Sequence, residues 1–433
     1  MKFAQAVRKW FTPGLGIKRW VALVLAGVLA LTTGLTAAVL SLYARSAAQL
    51  PHIGVGWTLL LLIGGAACIV AAVLGFSRTI LAPYRSRQPG AVIDVVYAHS
   101  RRNKGPHIVA IGGGTGLPAT LRALKPYTSN LTAVVTVADD GGSSGRLRHE
   151  LGVLPPGDLR NNIAALSDDE SLMTRLFQYR FSNGAIGGHA FGNLFISALA
   201  GVTGSLESAL VEAGRVLNIQ GRVFPATLDD VELVAEVRVN GRLQTIRGES
   251  RITGAHGSVE HIRLQPAGAR GFSGSTEAIR DAEMVILGPG SLFTSILPNV
   301  LVPEVAQALR DSNALKVYVC NIAMQPGETD GFDVADHVTT LEQYLGQGVV
   351  QVVISNSNFQ VENAGEYTRY VRAAPPEHPI HGRCRVIEAD LVEYERPWRH
   401  DPRKLADVLL AQHSEQQRHA VPTVAQTVLL ERS

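Results

Sequence analysis

Two long stretches near the amino terminus carry almost no charge, and they constrain this chain more than any other feature. From Trp20 to Ala44 there is no charged side chain, and from Ser46 to Ser77 the one group that titrates near neutrality is His52. Each exceeds the roughly 20 apolar residues that cross a bilayer core. Pro51, His52, Gly54 and Gly56 mark a turn between them. A cleaved signal peptide would explain one such stretch and leave the second unexplained. A transmembrane hairpin is therefore expected, with spans near residues 20–44 and 54–77.

The basic residues set its direction. Lys2, Arg8, Lys9, Lys18 and Arg19 precede the first span, and Arg78, Arg85, Arg87, Arg101, Arg102 and Lys104 follow the second. The connecting loop has only Arg45. The positive-inside rule then places both termini and everything downstream on the cytoplasmic side of the inner membrane. Trp10, Trp20 and Trp57 sit where interfacial aromatics are expected.

The remaining composition excludes several classes. Apolar residues make up 46% of the 433, and charged ones 18%, so the chain is not of the disordered kind. A net charge of +3, part of it in the arm, gives no concentrated basic face for nucleic acid. The three cysteines, Cys68, Cys320 and Cys384, have neither CxxC nor Cys/His spacing, so no zinc site is expected.

Residues 82–106, rich in Pro, Arg and Ser, read as a linker, and residues 107–410 as one α/β domain before a tail at 411–433. His107–Ile111 is a short apolar run of the buried parallel-strand kind. Leu117, Leu121 and Leu124 have helical spacing, and Leu131–Val137 reads as a second strand. This is a β-α-β unit of the doubly wound folds. Further strands are expected at Met284–Leu287, Lys316–Cys320 and Val349–Ile354, with helices at Val302–Asp311 and Asp333–Leu345 between them. Residues 222–265 alternate differently and contain the turn signal Asn240-Gly241, so a β-rich insertion is expected there.

Polar loops follow these strands. Gly112, Gly113, Gly114, Thr115 and Gly116 lie between a strand and a helix, where backbone N–H groups can approach a phosphate. The loop is neither a Walker A motif nor a full GxGxxG, because Leu117 stands at the last glycine. The second strand ends in Asp139 and Asp140, followed by Ser143, Ser144 and Arg146. Paired acids at a strand's carboxyl end can bind a ribose hydroxyl or Mg²⁺, and they can also close an Asx-turn. Asp158 precedes Arg160, Asn161 and Asn162, either as a helix N-cap or as part of a ligand-binding turn. His189 and Asn193, four apart, can share a helix face, with His189 as an acid or base or as a structural residue. Gly288, Gly290, Ser291 and Thr294 form a second strand–glycine–helix junction, and Asn321 with Gln325–Gly331 follows a further strand. In one parallel sheet these loops share an edge.

Several ordered segments carry a family resemblance: GGGTG, VTVADDGGSSGRLR, LPPGDLRNN, GGHAFGNLF, RVFPATLDDV, LGPGSLFTSILPN, VCNIAMQPGETDGF and WRHDPRKLA. Together they resemble the gluconeogenesis-factor (YvcK-type) family of the phospholactate-transferase-like (CofD-like) superfamily, over about residues 107–410. The resemblance implies a Rossmann-like fold. For the transferase branch it implies transfer of a phospholactyl-type group from a guanosine diphospho-donor to a deazaflavin with Mg²⁺. For the gluconeogenesis-factor branch, which DDGGSSGR and LPPGD resemble, it implies UDP-N-acetylglucosamine binding in support of cell shape and peptidoglycan synthesis, without established turnover. By motif, the implied nucleotide contacts are Gly113, Gly114, Thr115, Asp139, Asp140, Arg160, Asn161, Asn193, Gly290 and Ser291, with Tyr370 and Arg399 toward the sugar nucleotide. Phe293 replaces a Tyr common in the family, which removes a hydroxyl. The expectation is a membrane-anchored nucleotide-sugar regulator assembled from identical chains, with a transferase as the alternative.

Overall fold

The structure, a computed structural model, describes residues 17–44, 55–85, 101–167, 172–359 and 369–420. It divides into two units, the first within residues 1–100 and the second from Arg101 onward.

The first unit holds two helices, α1 (Ile17–Ala44) and α2 (Val55–Arg85), both long and apolar enough to cross a membrane. They pack where their glycines meet. A Cβ at Gly27 would sit 2.9 Å from the Gly65 carbonyl oxygen, and one at Gly65 2.8 Å from that of Gly27. Small residues at the crossing let the two backbones approach, as apolar helices in lipid require. Gly54, the expected start of the second span, lies outside the described residues.

The second unit opens with β1 (Ile108–Gly112), α3 (Leu117–Leu124) and β2 (Leu131–Val135). Five helices follow: α4 (Gly142–Leu151), α5 (Gly157–Leu166), α6 (Leu172–Gln178), α7 (Phe191–Thr203) and α8 (Leu206–Leu217). They lead to β3 (Arg222–Pro225). The chain then leaves the sheet for β4 (Glu232–Val239), β5 (Arg242–Arg247), the short α9 (Glu249–Thr253) and β6 (Ser258–Gln265). It returns through α10 (Ser273–Arg280) to β7 (Met284–Leu287). A π-helical turn at Leu292–Ile296, α11 (Leu297–Val300) and α12 (Pro303–Asp311) precede β8 (Leu315–Val319). Then come α13 (Val334–Leu345), β9 (Val352–Asn356), β10 (Arg385–Ala389) and α14 (Pro402–Ala420).

The main sheet has seven parallel strands in the order β10-β9-β8-β7-β1-β2-β3. Every residue of β1, β2, β7, β8 and β9 is buried, as their mostly apolar sequences suit a sheet covered on both faces. The order reverses beside β1. From β1 the chain steps outward to β2 and β3, and from β7 it steps the other way to β8, β9 and β10. Right-handed crossovers in opposite directions place α3 and α12 on opposite faces and open a crevice between the carboxyl ends of β1 and β7.

The insertion is smaller than expected. Arg222–Pro225 is the edge strand of the main sheet, paired with Thr132–Val135, and the separate antiparallel sheet begins only at Glu232. Its first hairpin turns at Asn240 and Gly241, with φ of 51° and 78°, as the Asn-Gly signal requires. At the other end, α14 runs to Ala420 with Gln412 and His413 buried, so the domain extends past the expected boundary at 410. Most of the expected linker (residues 86–100) lies outside the described residues, while residues 101–103 are helical.

Candidate functional site

The two glycine loops stand on either side of the switch point and interlock. Gly116 faces the Pro289 carbonyl so closely that a Cβ there would overlap it, and would lie 2.8 Å from the Gly290 Cα. Gly114 adopts a φ of +59° and donates its N–H to Asp158 Oδ2 at 2.7 Å. Gly113 leaves room for that same oxygen, which a Cβ would meet at 2.7 Å. Thr115 is exposed on the loop. Across the crevice, Gly290 N–H donates to Asn321 Oδ1 at 3.0 Å, and Thr120 Oγ1 donates to the Gly288 carbonyl at 3.2 Å.

Asp158 therefore does not cap its helix as one expectation had it. The N-cap of α5 is Pro156, and the Asp158 carboxylate reaches back to the first glycine loop. Burial, with Asp139 adding repulsion, pushes it up to about 6 against the pull of the Gly114 N–H.

Carboxylates crowd this edge. Asp139 Oδ1 accepts the Gly141 N–H at 2.8 Å, which is the Asx-turn, and Asp140 Oδ1 accepts the Ser250 N–H at 2.9 Å. Glu249 joins them from the start of α9. One ligand atom each from Asp139, Asp140 and Glu249 lie within 4.8 Å of one another, a spacing that can hold a divalent cation. Burial first, then Asp139, Asp158, Glu328 and Asp140, push Glu249 up to about 9. Sequence reasoning missed Glu249. It lies more than a hundred positions beyond the Asp pair, in an insertion whose docking no local pattern shows.

Next to the acids, Ser143 gathers two residues. Its Oγ lies 3.0 Å from His189 Nδ1 and accepts from Asn193 Nδ2 at 3.0 Å, and all three are buried. His189 and Asn193 thus do not share a helix face as expected. His189 precedes α7, Asn193 lies inside it, and they meet at Ser143. Ser144 packs against Gly157. Arg146 Nη2 donates to the Gly187 carbonyl at 3.0 Å, and Arg160 Nη2 to Asn161 Oδ1 at 2.6 Å.

On the β7 side, Ser291 Oγ donates to Glu328 Oε2 and accepts from the Thr294 N–H at 3.1 Å and from Thr294 Oγ1 at 2.7 Å. Thr253 Oγ1 also donates to Glu328, at 3.0 Å. Thr294 is buried with its hydroxyl turned to Ser291, so it braces the loop. Glu328, raised by burial, is the second acid that sequence reasoning did not single out.

The sequence profile of the 2-phospho-L-lactate transferase CofD family matches residues 108–394. Against the gluconeogenesis factor of Bacillus subtilis the chain is 42% identical over 311 residues, covering 70% of this chain and 97% of the relative. The chain belongs to the gluconeogenesis-factor (YvcK-type) family of the CofD-like superfamily. A family relative from Nostoc sp. is 43% identical over 430 residues, covering 93% of this chain and 91% of the relative, an extent that takes in part of the apolar amino-terminal segment. The crystal structure of a UPF0052-family protein from Bacillus halodurans superposes with a TM-score of 0.67 at 38% identity, over 71% of this chain and 99% of that one.

Two further positions that the family resemblance pointed to have no recorded contact with the glycine loops among the described residues. Tyr370 pairs with Ala323 in an isolated bridge, lies edge-on to Phe359, and is 2% exposed, with its hydroxyl buried and without a partner among the described residues. Arg399 is exposed in the turn after β10. Its neighbour His400 is buried, with Nε2 3.2 Å from the Cys320 carbonyl, and burial pushes it down to about 4, so it is a neutral core residue. Phe293 packs edge-on against Phe332 in the core, where a Tyr hydroxyl would need a buried partner.

Proposed function

We propose that this gluconeogenesis-factor relative binds UDP-N-acetylglucosamine in the crevice between β1 and β7. As a membrane-anchored regulator it links the supply of that sugar nucleotide to peptidoglycan synthesis and cell shape. One observation carries the reading: two interlocked glycine loops flank the switch point of a doubly wound sheet, where ligands of such folds bind. Gly113, Gly114, Gly290 and Ser291 supply the phosphate side, and the neighbouring acids supply acceptors for ribose hydroxyls. The basic residues flanking the two spans support an inner-membrane hairpin with both termini cytoplasmic. Peptidoglycan precursors are finished at that leaflet.

A second reading has its own support. Asp139, Asp140 and Glu249 suit Mg²⁺, which takes one or two carboxylates together with phosphate oxygens. When bound, Mg²⁺ would neutralise charge on a diphosphate, as a CofD-like transferase acting on a nucleotide diphospho-donor needs. Thermal-shift measurements separate the two. Stabilisation of the purified chain by UDP-N-acetylglucosamine is expected under the first reading, and a shift only with GDP or GTP plus Mg²⁺ under the second. No shift with any nucleotide would sink both.

A further inference from the structure

We infer that Arg146, Arg160 and Arg180 form a second anion seat beside the glycine loops, which takes the distal phosphate of a diphosphate-linked ligand, with Arg180 selecting diphosphate over monophosphate. Only the identity of that ligand rests on the nucleotide-sugar reading. The seat itself rests on the arginines.

Three arginines converge on one short stretch of chain. Arg146 Nη2 donates to the Gly187 carbonyl at 3.0 Å, and Arg180 Nη1 to the adjacent Gly188 carbonyl at 2.6 Å. Arg160 lies against Gly192 and is close enough to Arg180 for the two charges to repel. Glycines make the room. A Cβ at Gly188 would stand 2.8 Å from Arg146 Nη2, and one at Gly192 2.8 Å from Arg160 Cγ. Gly188 also holds a φ of +79°, which favours glycine.

Asp158 and Asp139 offset part of the Arg160 charge from beyond ion-pair range, and among the described residues no such carboxylate is recorded acting on Arg146 or Arg180. Elsewhere in the domain arginines meet acids, as Arg148 does Asp230, Arg238 does Glu260 and Arg383 does Glu342. Among the described residues, none of the three has a carboxylate at ion-pair distance. The Arg160 Nε is buried with no hydrogen-bond partner. Arg146 and Arg180 are exposed and Arg160 is half-buried, so a soluble anion can reach all three, and it would relieve the Arg160–Arg180 repulsion and the unpaired Nε. Guanidinium forks match phosphate oxygens two at a time.

The position fixes which phosphate. Arg160 lies within electrostatic reach of Asp158 and Asp139, and Asp158 holds the Gly114 N–H, so the seat adjoins the first loop without overlapping it. A ligand whose first phosphate lies on the glycine loops reaches the arginines only through a second one. A monophosphate fills one seat, and a diphosphate fills both.

Titration calorimetry on the full-length chain in detergent tests this with UMP and UDP. The wild type is expected to bind UDP about 10-fold more tightly than UMP. Arg180→Gln should remove most of that preference while changing UMP affinity less than about two-fold. Arg180→Lys, which keeps the charge and loses the fork, should fall between, and Arg146→Gln should also weaken UDP selectively. An unchanged UDP-to-UMP ratio in both glutamine variants would overturn the inference. If no uridine nucleotide binds the wild type, the nucleotide-sugar reading fails, and inorganic pyrophosphate becomes the probe. The arginine seat then predicts pyrophosphate binding that drops about 10-fold in Arg180→Gln, and absent or unaltered binding contradicts it. Circular dichroism melts of each variant separate loss of the seat from loss of the fold.

Discussion

The two glycine loops at the switch point follow adjacent strands, open onto the same crevice and differ in what holds their backbone. After β1, the Gly114 N–H is held at 2.7 Å by a carboxylate, Asp158, whose charge depends on pH. After β7, the Gly290 N–H is held at 3.0 Å by the neutral amide of Asn321, and Ser291 caps its own turn through Thr294. The first loop is braced by a group that an anionic ligand must displace or repel. The second has its backbone braced by a neutral amide, and only its Ser291 side chain reaches a carboxylate, Glu328. A phosphate arriving at the crevice therefore meets one adjustable wall and one fixed wall.

The contact between the walls gives the largest expected effect. Gly116→Ala places a methyl group against the Pro289 main chain, which cannot yield as a side chain would. It should cost about 3 kcal/mol in urea unfolding. Gly290→Ala meets its nearest neighbour at 3.5 Å and is strained only by its φ of +154°. It should cost roughly half as much. Equal losses would show that the loops do not brace one another.

The adjustable wall has a pH signature. Burial raises Asp158 from its ordinary value of 3.8 to about 6 in the folded protein, so the fold favours its protonated form. Its contribution is neutral below about pH 4, and destabilisation grows as pH rises through 6, reaching on the order of 3 kcal/mol above that. Subtracting the stability profile of Asp158→Asn from that of the wild type should leave this decline. A flat difference would mean that the carboxylate is more solvated than its setting implies.

Between the walls and the insertion lies the acid cluster. Glu249, raised to about 9, holds a proton at neutral pH that a divalent cation must release. Mg²⁺ affinity should therefore rise by up to about 10-fold per pH unit between 7 and 9, and Glu249→Gln should lose that slope. The slope is measured by titrating Mg²⁺ into the chain at several pH values. The smallest effect belongs to the fixed wall. Ser291→Ala removes a cap worth about 1 kcal/mol. Because Ser291 also donates to Glu328 and favours its ionised form, the loss in urea should be larger at pH 8 than at pH 5, and equal losses would mean that the Glu328 contact carries none of it.

Much of the fold is legible in the sequence. The helix expected at Leu117–Leu124 has those bounds in the structure, and the strands at Met284–Leu287 and Leu131–Val135 fall within or on the expected runs. Buried parallel strands and amphipathic helices write themselves as local periods. The strand-end loops were legible for the same reason, since a parallel sheet sends every carboxyl end to one edge. What was not legible depends on partners far along the chain. Arg222–Pro225 resembles the insertion in pattern and joins the main sheet only because it pairs with β2. Glu249 and Glu328 are single acids in polar loops, and their roles appear once α9 and the loop after β8 are folded against Asp140 and Ser291. Asp158 has the local look of a cap, and its partner is 44 residues upstream.

The crevice between β1 and β7 is the proposed ligand site. Hydrogen–deuterium exchange of the full-length chain, with and without UDP-N-acetylglucosamine, tests it most directly. Slowed exchange is expected at the amides of residues 113–116 and 290–294, with little change at the amino-terminal strand edge near His107 and Asn130. Protection confined to that opposite edge, or no protection anywhere at saturating ligand, would contradict it.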